Sequence, residues 1–329
     1  MRASETLRHL IGPIELIHEH AGPRLLRLAR LGIFALWIIK LLLDPLWRLA
    51  ELPREMRHPI GILNLLPAGA QDWLFTSTGL IALLASTLLV LALGLTDRAF
   101  AIVATIAAVQ LTVYSSVIRT FGPAVHTDIV LLLAVYALTG FAWADWIALK
   151  FGDKKSLQAS SSYPLITIIA MLLLSYCMVG INRTVAGGIN VFTGDSMEAW
   201  CIDASMRGYY FNTNIGWHIP EWPWVVFMLR SGLPVITVFE ILAPLCLAAP
   251  HFRWIFMPVM LSFHLLSLVF MNIFFFDDIL LYLLLIDWSR RFPALRAATI
   301  YSASPAPTPC ASVSSTSVLA SEPTNRRSF

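Results

Sequence analysis

Long apolar stretches, separated by short polar segments, repeat along most of the chain. A bilayer span needs about 20 mainly apolar residues, because each adds about 1.5 Å towards crossing about 30 Å of hydrocarbon. Eight stretches satisfy this requirement, and they occupy residues 29–47, 76–95, 98–118, 126–148, 164–183, 223–248, 252–271 and 273–288. The pattern therefore predicts an all-α membrane protein, a polytopic bundle of about eight transmembrane helices.

Composition supports a lipid environment and argues against a soluble enzyme. Of the 329 residues, 57% are hydrophobic and 13% are charged, and the mean hydropathy is +0.72. Soluble domains carry about 25% charged residues, so this chain has too few polar residues to cover a soluble core. The net charge is only +3, and the arginines cluster near helix ends. That distribution suits a membrane boundary and does not favour a nucleic acid as partner.

The two termini differ from the apolar region at residues 29–290. Residues 1–28 place leucines and isoleucines roughly on one helical face among several arginines, which predicts an interfacial amphipathic helix lying on the membrane. Residues 291–329 are rich in Ser, Pro, Thr and Ala, and they predict a disordered tail because they hold too little apolar surface to order.

The distribution of basic residues predicts the orientation in the membrane. With eight spans, most Lys and Arg residues outside the helices fall on the side of both termini, which predicts N-in and C-in in the inner (plasma) membrane. The opposite side receives two long segments, residues 48–75 and 184–222. The second is rich in Trp, Tyr and Gly, and it reads either as an aromatic-belted surface loop or as a cap over an opening between helices.

Ionisable residues at membrane depth cost at least about 2.5–3.5 kcal/mol each, so each needs a partner or a function. Lys40 and Asp44 are one turn apart on the first span and predict an ion pair. Arg119, His126 and Asp128 surround the short turn between the third and fourth spans. They form either an ion pair that fixes a hairpin or a proton-handling or anion-binding group at the mouth of a cavity.

Three further ionisable residues lie within the sixth and seventh spans. Arg230 is followed by Ser-Gly-Leu-Pro at 231–234, which predicts a kink or break in the helix. Glu240 and His264 flank a turn at Pro250 and should differ in depth by only about 6 Å. A Glu–His contact is therefore available to them. A lone His in a membrane is usually a packing residue, but a carboxylate at similar depth makes acid–base chemistry a real alternative.

Three sequence runs carry a resemblance to a known family. They are FEILAPLCLAAP at 239–250, FHLLSLVFMNIFFFDDILLYLLLID at 263–287 and YCMVGINR at 176–183. A carboxylate on one span, Phe-His on the next and an aromatic stretch leading into the last span resemble the HTTM domain. This is the membrane domain of the vitamin K-dependent gamma-carboxylases, which also occurs in bacterial stand-alone proteins. YCMVGINR resembles that family's Tyr-x-x-x-Gly-x-x-Lys stretch, and the similarity covers roughly residues 25–290.

The resemblance implies a pocket for a quinone-like or lipid-like molecule, lined by His126, Arg183, Glu240 and His264. In the family a lysine acts in deprotonating a reduced quinone, and this chain has Arg183 at that position. Arginine cannot be deprotonated in proteins, so gamma-carboxylation of a protein is not expected, and Arg183 is expected to bind an anionic group instead.

Several functions therefore stay open. The leading hypothesis is an HTTM-like protein that binds or acts on a quinone-like or lipid-like molecule, or that matures a partner peptide; no particular cofactor follows from the residues. In this hypothesis His264, Glu240 and His126 are the candidate catalytic residues. The candidate binding residues are Arg183, Arg119, Asp128 and Arg230. The alternatives are a non-enzymatic scaffold or immunity-type protein and, less well supported, a transporter.

Overall fold

The computed structural model describes residues 16–96, 99–121, 128–151, 162–207, 215–273, 275 and 278–295. Within these ranges the regular structure is entirely helical. The α-helices are α1 Pro23–Leu43, α2 Ala68–Leu74, α3 Ser77–Gly94, α4 Phe100–Arg119, α5 Ile129–Phe151, α6 Ser162–Gly187, α7 Asn190–Thr193, α8 Ser196–Arg207, α9 Pro223–Leu242, α10 Pro250–Met271, α11 Asp278–Leu285 and α12 Trp288–Arg291. Short 3-10 helices connect several of them.

Six helices in the described part of the chain are long and apolar enough to cross a membrane: α3, α4, α5, α6, α9 with its 3-10 extension, and α10. In each of these helices, only 22–44% of the most hydrophobic 18-residue stretch is buried inside the protein. The remaining apolar surface faces outwards, as at Leu89, Met178 and Phe227, which are 62%, 60% and 73% exposed. Such a surface is stable only in lipid, so the chain is a multi-pass membrane protein.

Helix α1 lies at the centre of the bundle although it is not one of those six. Its Ile33, Phe34, Trp37 and Leu41 are fully buried, and it packs against α3, α5, α6 and α11. It is not counted with them because it carries more charged residues than any of the six, namely Arg24, Arg27, Arg30 and Lys40. Because α1 already begins at Pro23, the predicted boundary between residues 28 and 29 falls within this helix.

The last predicted span, residues 273–288, does not form one continuous helix. Helix α10 ends at Met271, and the left-handed backbone of its C-cap, Asn272 (φ +56°), turns the chain away from the helix axis. Helix α11 then has only eight residues, and it packs against α6 and α1. With α1 too polar and α11 too short, the described residues show six helices of spanning length and composition instead of eight.

Of the predicted kink or break at 231–234, the break is absent, since α9 continues through Pro234. Proline removes one N–H from the helix, the one that would bond to the Arg230 carbonyl four residues earlier. Membrane helices tolerate such a proline where neighbouring helices pack against it. The change in helix geometry comes later, where Ala243–Leu247 tightens to a 3-10 helix around Pro244.

Helices α3 to α6 pack as successive neighbours, and α6 also contacts α9. Helix α9 in turn contacts α10, and α11 closes against α6. Helix α6 is therefore the element against which the second half of the bundle assembles, and it positions the polar groups described next.

Candidate functional site

A cavity of about 460 Å³ lies between α9 and α10, on the side covered by α8. Helix α8 contributes Met197 and Cys201 to its lining, and the only polar side chains that α9 and α10 add are those of Ser231, Ser262 and Ser267. None of the described residues that line it is charged. Ligand pockets are typically about 300–1,000 Å³ and mostly apolar with a few polar groups, so both the volume and the lining suit a lipophilic molecule.

Helix α10 separates this cavity from a cluster of polar side chains. Val259, Phe263 and Phe270 lie on the face of α10 that lines the cavity. Met260 and His264 are more deeply enclosed, with Met260 fully buried and the His264 side chain 9% exposed. The Phe263 and His264 rings are neighbours, with centroids 5.2 Å apart. Phe263 thus contacts both the cavity and the polar cluster.

Arg230 holds α8 against α9 at the edge of the cavity. Its Nε donates to Glu198 Oε1 (2.6 Å), and its terminal Nη2 donates to Asp195 Oδ1. The Arg230 side chain is 39% exposed, whereas that of Glu198 is 8% exposed. Arg230 therefore lies at the surface of the bundle and connects two elements, in contrast to the buried position of Glu240.

The contacts of α8 agree with the cap alternative for residues 184–222. Cys201 is 1% exposed, and burial raises the pKa of its thiol to about 12, which keeps it protonated. Beside it, Gly216 approaches so closely that an added Cβ would lie 2.1 Å from the Phe270 carbonyl oxygen and 2.5 Å from that of Cys201. Only glycine permits this contact between the 3-10 helix at Ile215–Glu221, α8 and α10.

Arg183 and Glu240 form a closed ion pair between α6 and α9. The Arg183 guanidinium donates from Nη1 and Nη2 to both carboxylate oxygens of Glu240, the second at 3.1 Å. Nη1 also donates to Thr237 Oγ1 (2.9 Å). The side chains are only 14% and 3% exposed. An anionic ligand at Arg183 would have to compete with Glu240 for this guanidinium.

The structure pairs Glu240 with Arg183, so the Glu240–His264 contact that the spacing made available is not the one formed. The reason lies in the packing of α6 on α9. Gly180 has no side chain, and a Cβ there would lie 3.0 Å from Glu240 Cβ and 2.9 Å from Ile241 Cγ1. This close approach directs Glu240 towards α6, where the guanidinium is available.

His264 belongs to a second polar cluster, with Tyr176 on α6 and Asp278 on α11. The Tyr176 hydroxyl donates to Asp278 Oδ1 and lies 3.1 Å from His264 Nε2. His264 Nε2 is also 3.1 Å from Asp278 Oδ2. Phe275 covers the imidazole, with ring centroids 4.6 Å apart. Three helices thus bring a phenol, an imidazole and a carboxyl group within hydrogen-bonding distance.

Several polar atoms of this second cluster have no hydrogen-bond partner among the described residues. His264 Nδ1, Asp278 Oδ2 and the Tyr282 hydroxyl are buried without a hydrogen-bond partner in the described part of the chain. Asp278 Oδ2 is close to His264, but the angle of that contact is poor for a hydrogen bond. Each buried unsatisfied group costs about 1–3 kcal/mol. Three such atoms together require an explanation, and proton exchange with another molecule is one that their chemistry allows.

Sequence reasoning identified His264 but missed Tyr176, Asp278 and Tyr282 as its companions. The signals were present: Tyr176 lies seven residues before Arg183 and therefore on the same side of α6, and Asp278 and Tyr282 are one turn apart.

The polar residues of the first half form separate ion pairs. Arg119 pairs with Asp128, and the Ser115 hydroxyl donates to the same carboxylate. Lys40 Nζ lies 3.5 Å from Asp44 Oδ2. Both pairings agree with the spacing in the sequence. None of these residues lines the cavity between α9 and α10.

His126, the remaining candidate, lies outside the described residues. Comparison of the chain with protein-family profiles, with curated proteins and with solved structures gives no match.

Proposed function

We propose that this protein binds a lipophilic molecule in the cavity between α9 and α10, and that α8 covers the bound molecule. The cavity itself supports the proposal, since it has a volume of about 460 Å³ and an apolar lining interrupted by serines. An empty apolar cavity of this size would be costly, because its lining loses packing contacts. A ligand drawn from the bilayer restores those contacts.

A quinone-like ligand, as the HTTM resemblance implies, fits part of this environment. The apolar walls suit its ring and tail, and the Ser231 and Ser262 hydroxyls could hold its oxygens. Ser267 already donates to the Phe263 carbonyl (3.0 Å). A bound quinone would supply redox chemistry. Arg183, at the position of the family's lysine, does not line this cavity, so the proposal assigns it no part in proton removal.

Proton transfer in the proposal belongs to His264, with Tyr176 and Asp278. Their hydroxyl, imidazole and carboxyl groups contact one another, and Phe263 lies between this cluster and the cavity. Glu240 is not included, because its carboxylate is held by Arg183. For this reaction, the reactive group of the lipophilic molecule or of a partner peptide would have to pass Phe263 and reach His264.

A non-enzymatic scaffold is the second candidate, and the closed ion pairs favour it. Arg183 with Glu240 and Arg119 with Asp128 join neighbouring helices without any other molecule. In a scaffold of this kind, such pairs would fix the helix arrangement and the cavity would hold only structural lipid.

In the proposed arrangement the chain crosses the inner (plasma) membrane eight times. Both termini then lie on the cytoplasmic side. Helix α1 has 21 residues, and at 1.5 Å each it measures about 32 Å, enough to cross the hydrocarbon. Residues 273–288 would provide the eighth crossing as an irregular segment protected by α1 and α6. The first residues would lie at the interface as an amphipathic helix.

Filling the cavity tests the proposal directly. An added Cβ at Gly232, which lines the cavity, meets no atom within 4 Å, so Gly232→Trp should place its indole in the empty space. We expect lipophilic molecules that co-purify with the protein, identified by mass spectrometry, to fall about tenfold or more, a loss of about 1.4 kcal/mol in binding.

Gly140 on α5 provides a matched control, because an added Cβ there also meets nothing within 4 Å and the residue lies outside the cavity. Gly140→Trp should retain the co-purified molecules. Equal retention by both variants, with both folded, would contradict binding in this cavity. A bound molecule that is only bulk phospholipid would favour the scaffold.

A further inference from the structure

A second cavity, of about 250 Å³, lies at the end of the bundle where α1 and α4 begin and α5 ends. It shares no lining residue with the first cavity. Its charged side chains are Arg27 and Arg30 from α1 and Asp145 from α5, and its apolar walls include Phe100 and Phe141.

Two of the three charged side chains in the described lining are arginines, and one is a carboxylate. The Arg30 guanidinium lies over the Phe100 ring, with Cζ 4.4 Å from the ring centroid, which fixes the orientation of its planar group. The first turn of α1 contains no acidic residue. Guanidinium groups match the geometry of phosphate oxygens and can bind them through two parallel hydrogen bonds.

The volume of this cavity, and its lining of both charged and apolar residues, indicate which part of a ligand it can hold. At about 30 Å³ per water, 250 Å³ corresponds to roughly eight waters. That space accommodates a phosphate with a small polar group, but not two acyl chains. Apolar walls beside charged groups match the boundary between a lipid headgroup and its chains, and basic pockets between transmembrane helices are known to bind anionic headgroups.

We infer that this cavity binds the headgroup of an anionic phospholipid. Arg27 and Arg30 donate to the phosphate oxygens, and Asp145 accepts hydrogen bonds from headgroup hydroxyls. The acyl chains stay in the bilayer along the outside of the bundle. Both arginines also hold contacts within the protein, so the phosphate joins an existing network. This site does not depend on the function proposed for the first cavity.

The test uses the full chain, reconstituted into phosphatidylcholine vesicles with or without phosphatidylglycerol. Lipids retained by the protein after extraction in neutral detergent are measured by mass spectrometry, together with its thermal unfolding midpoint. We expect the protein to retain phosphatidylglycerol over phosphatidylcholine by about tenfold or more, as two charge-assisted hydrogen bonds allow. Arg27→Gln with Arg30→Gln should abolish the preference.

A charge-matched control is Arg48→Gln with Arg54→Gln, which removes two arginines that follow the other end of α1 and should leave the preference intact. If the Arg27/Arg30 variant fails to fold, Asp145→Asn replaces it, because raising the net positive charge of the lining should increase retention of phosphatidylglycerol. No preference in the wild-type protein, or a preference for phosphatidylethanolamine, would overturn the inference. So would stabilisation by inorganic phosphate alone equal to that by the lipid, since this would indicate a site for a free anion.

Discussion

Two polar clusters lie on the same helix, seven residues apart, and they differ in how completely the protein satisfies them. At Arg183 each terminal nitrogen of the guanidinium bonds to a carboxylate oxygen of Glu240. At Tyr176, about 10 Å along α6, the cluster with His264 and Asp278 leaves three buried polar atoms without a partner in the described residues. The first cluster is closed, and the second is open.

The difference shows that an ionisable residue in a membrane need not mark a reaction site. Arg183 and Glu240 are the more conspicuous residues in the sequence, yet each satisfies the other. His264 and Asp278 can exchange a proton with each other through Tyr176, and neither is paired with an arginine or lysine among the described contacts. Chemistry is therefore expected at the open cluster, and stability at the closed one.

The largest effect should come from breaking the closed pair on one side. Glu240→Met leaves the Arg183 charge buried without its partner, and Arg183→Met leaves Glu240 in the same position. Each should lower the free energy of unfolding by about 3–5 kcal/mol, whereas the double variant should recover most of that loss. Unfolding of the purified protein in detergent, followed by circular dichroism, measures all three variants.

The same three variants also separate a structural role of the Arg183–Glu240 pair from a role in function. If the double variant keeps the co-purified lipophilic molecule, the pair is not needed for binding, and a loss of that molecule in either single variant is a consequence of lost stability. Single variants as stable as the wild-type protein would show that the pair is not closed in the membrane.

A smaller effect should distinguish the two tyrosines of the open cluster. Tyr176→Phe removes the hydroxyl that contacts both Asp278 and His264, and we expect it to lower the free energy of unfolding by about 1–3 kcal/mol. Tyr282→Phe removes a buried hydroxyl that has no protein partner in the described part of the chain. It should therefore be neutral or slightly stabilising in the same unfolding measurement.

The two Phe variants change the same atom on the same side-chain type, so each serves as the control for the other. A cost at Tyr282 as large as that at Tyr176 would mean that another molecule hydrogen-bonds to the Tyr282 hydroxyl. In that case the open cluster is a binding site in its own right.

Hydropathy and spacing predicted much of this arrangement, but not the partners. Six apolar helices and the pairs at Arg119–Asp128 and Lys40–Asp44 follow from local sequence, because residues one turn apart or across a short hairpin must be neighbours. The partner of Glu240 could not be predicted in this way. It depends on how closely α9 approaches α6 at Gly180, which is a property of the assembled bundle. The same holds for Asp278, whose importance depends on α11 packing between α6 and α10.

The smallest predicted effect concerns His18, a buried histidine outside both clusters. Its Nε2 lies 2.8 Å from the Leu284 carbonyl oxygen, and its Nδ1 is 3.6 Å from Asp287 Oδ1. Burial lowers its pKa from the ordinary value of 6.5, although the Leu284 contact and the Asp287 charge partly oppose the shift. The folded protein thus keeps His18 neutral, while the unfolded chain takes up a proton as the pH falls below about 6.5.

Stability should therefore be complete above that pH and decrease below it, by at most about 1.4 kcal/mol for each unit of pH. Comparing unfolding at about pH 8 and about pH 5.5 in the wild-type protein and in His18→Gln isolates this contribution, because the glutamine does not titrate. The wild-type protein should lose more stability than the variant over this interval. Equal losses in both proteins would assign the acid sensitivity elsewhere, and the open cluster at His264 would be the first place to examine with Tyr176→Phe.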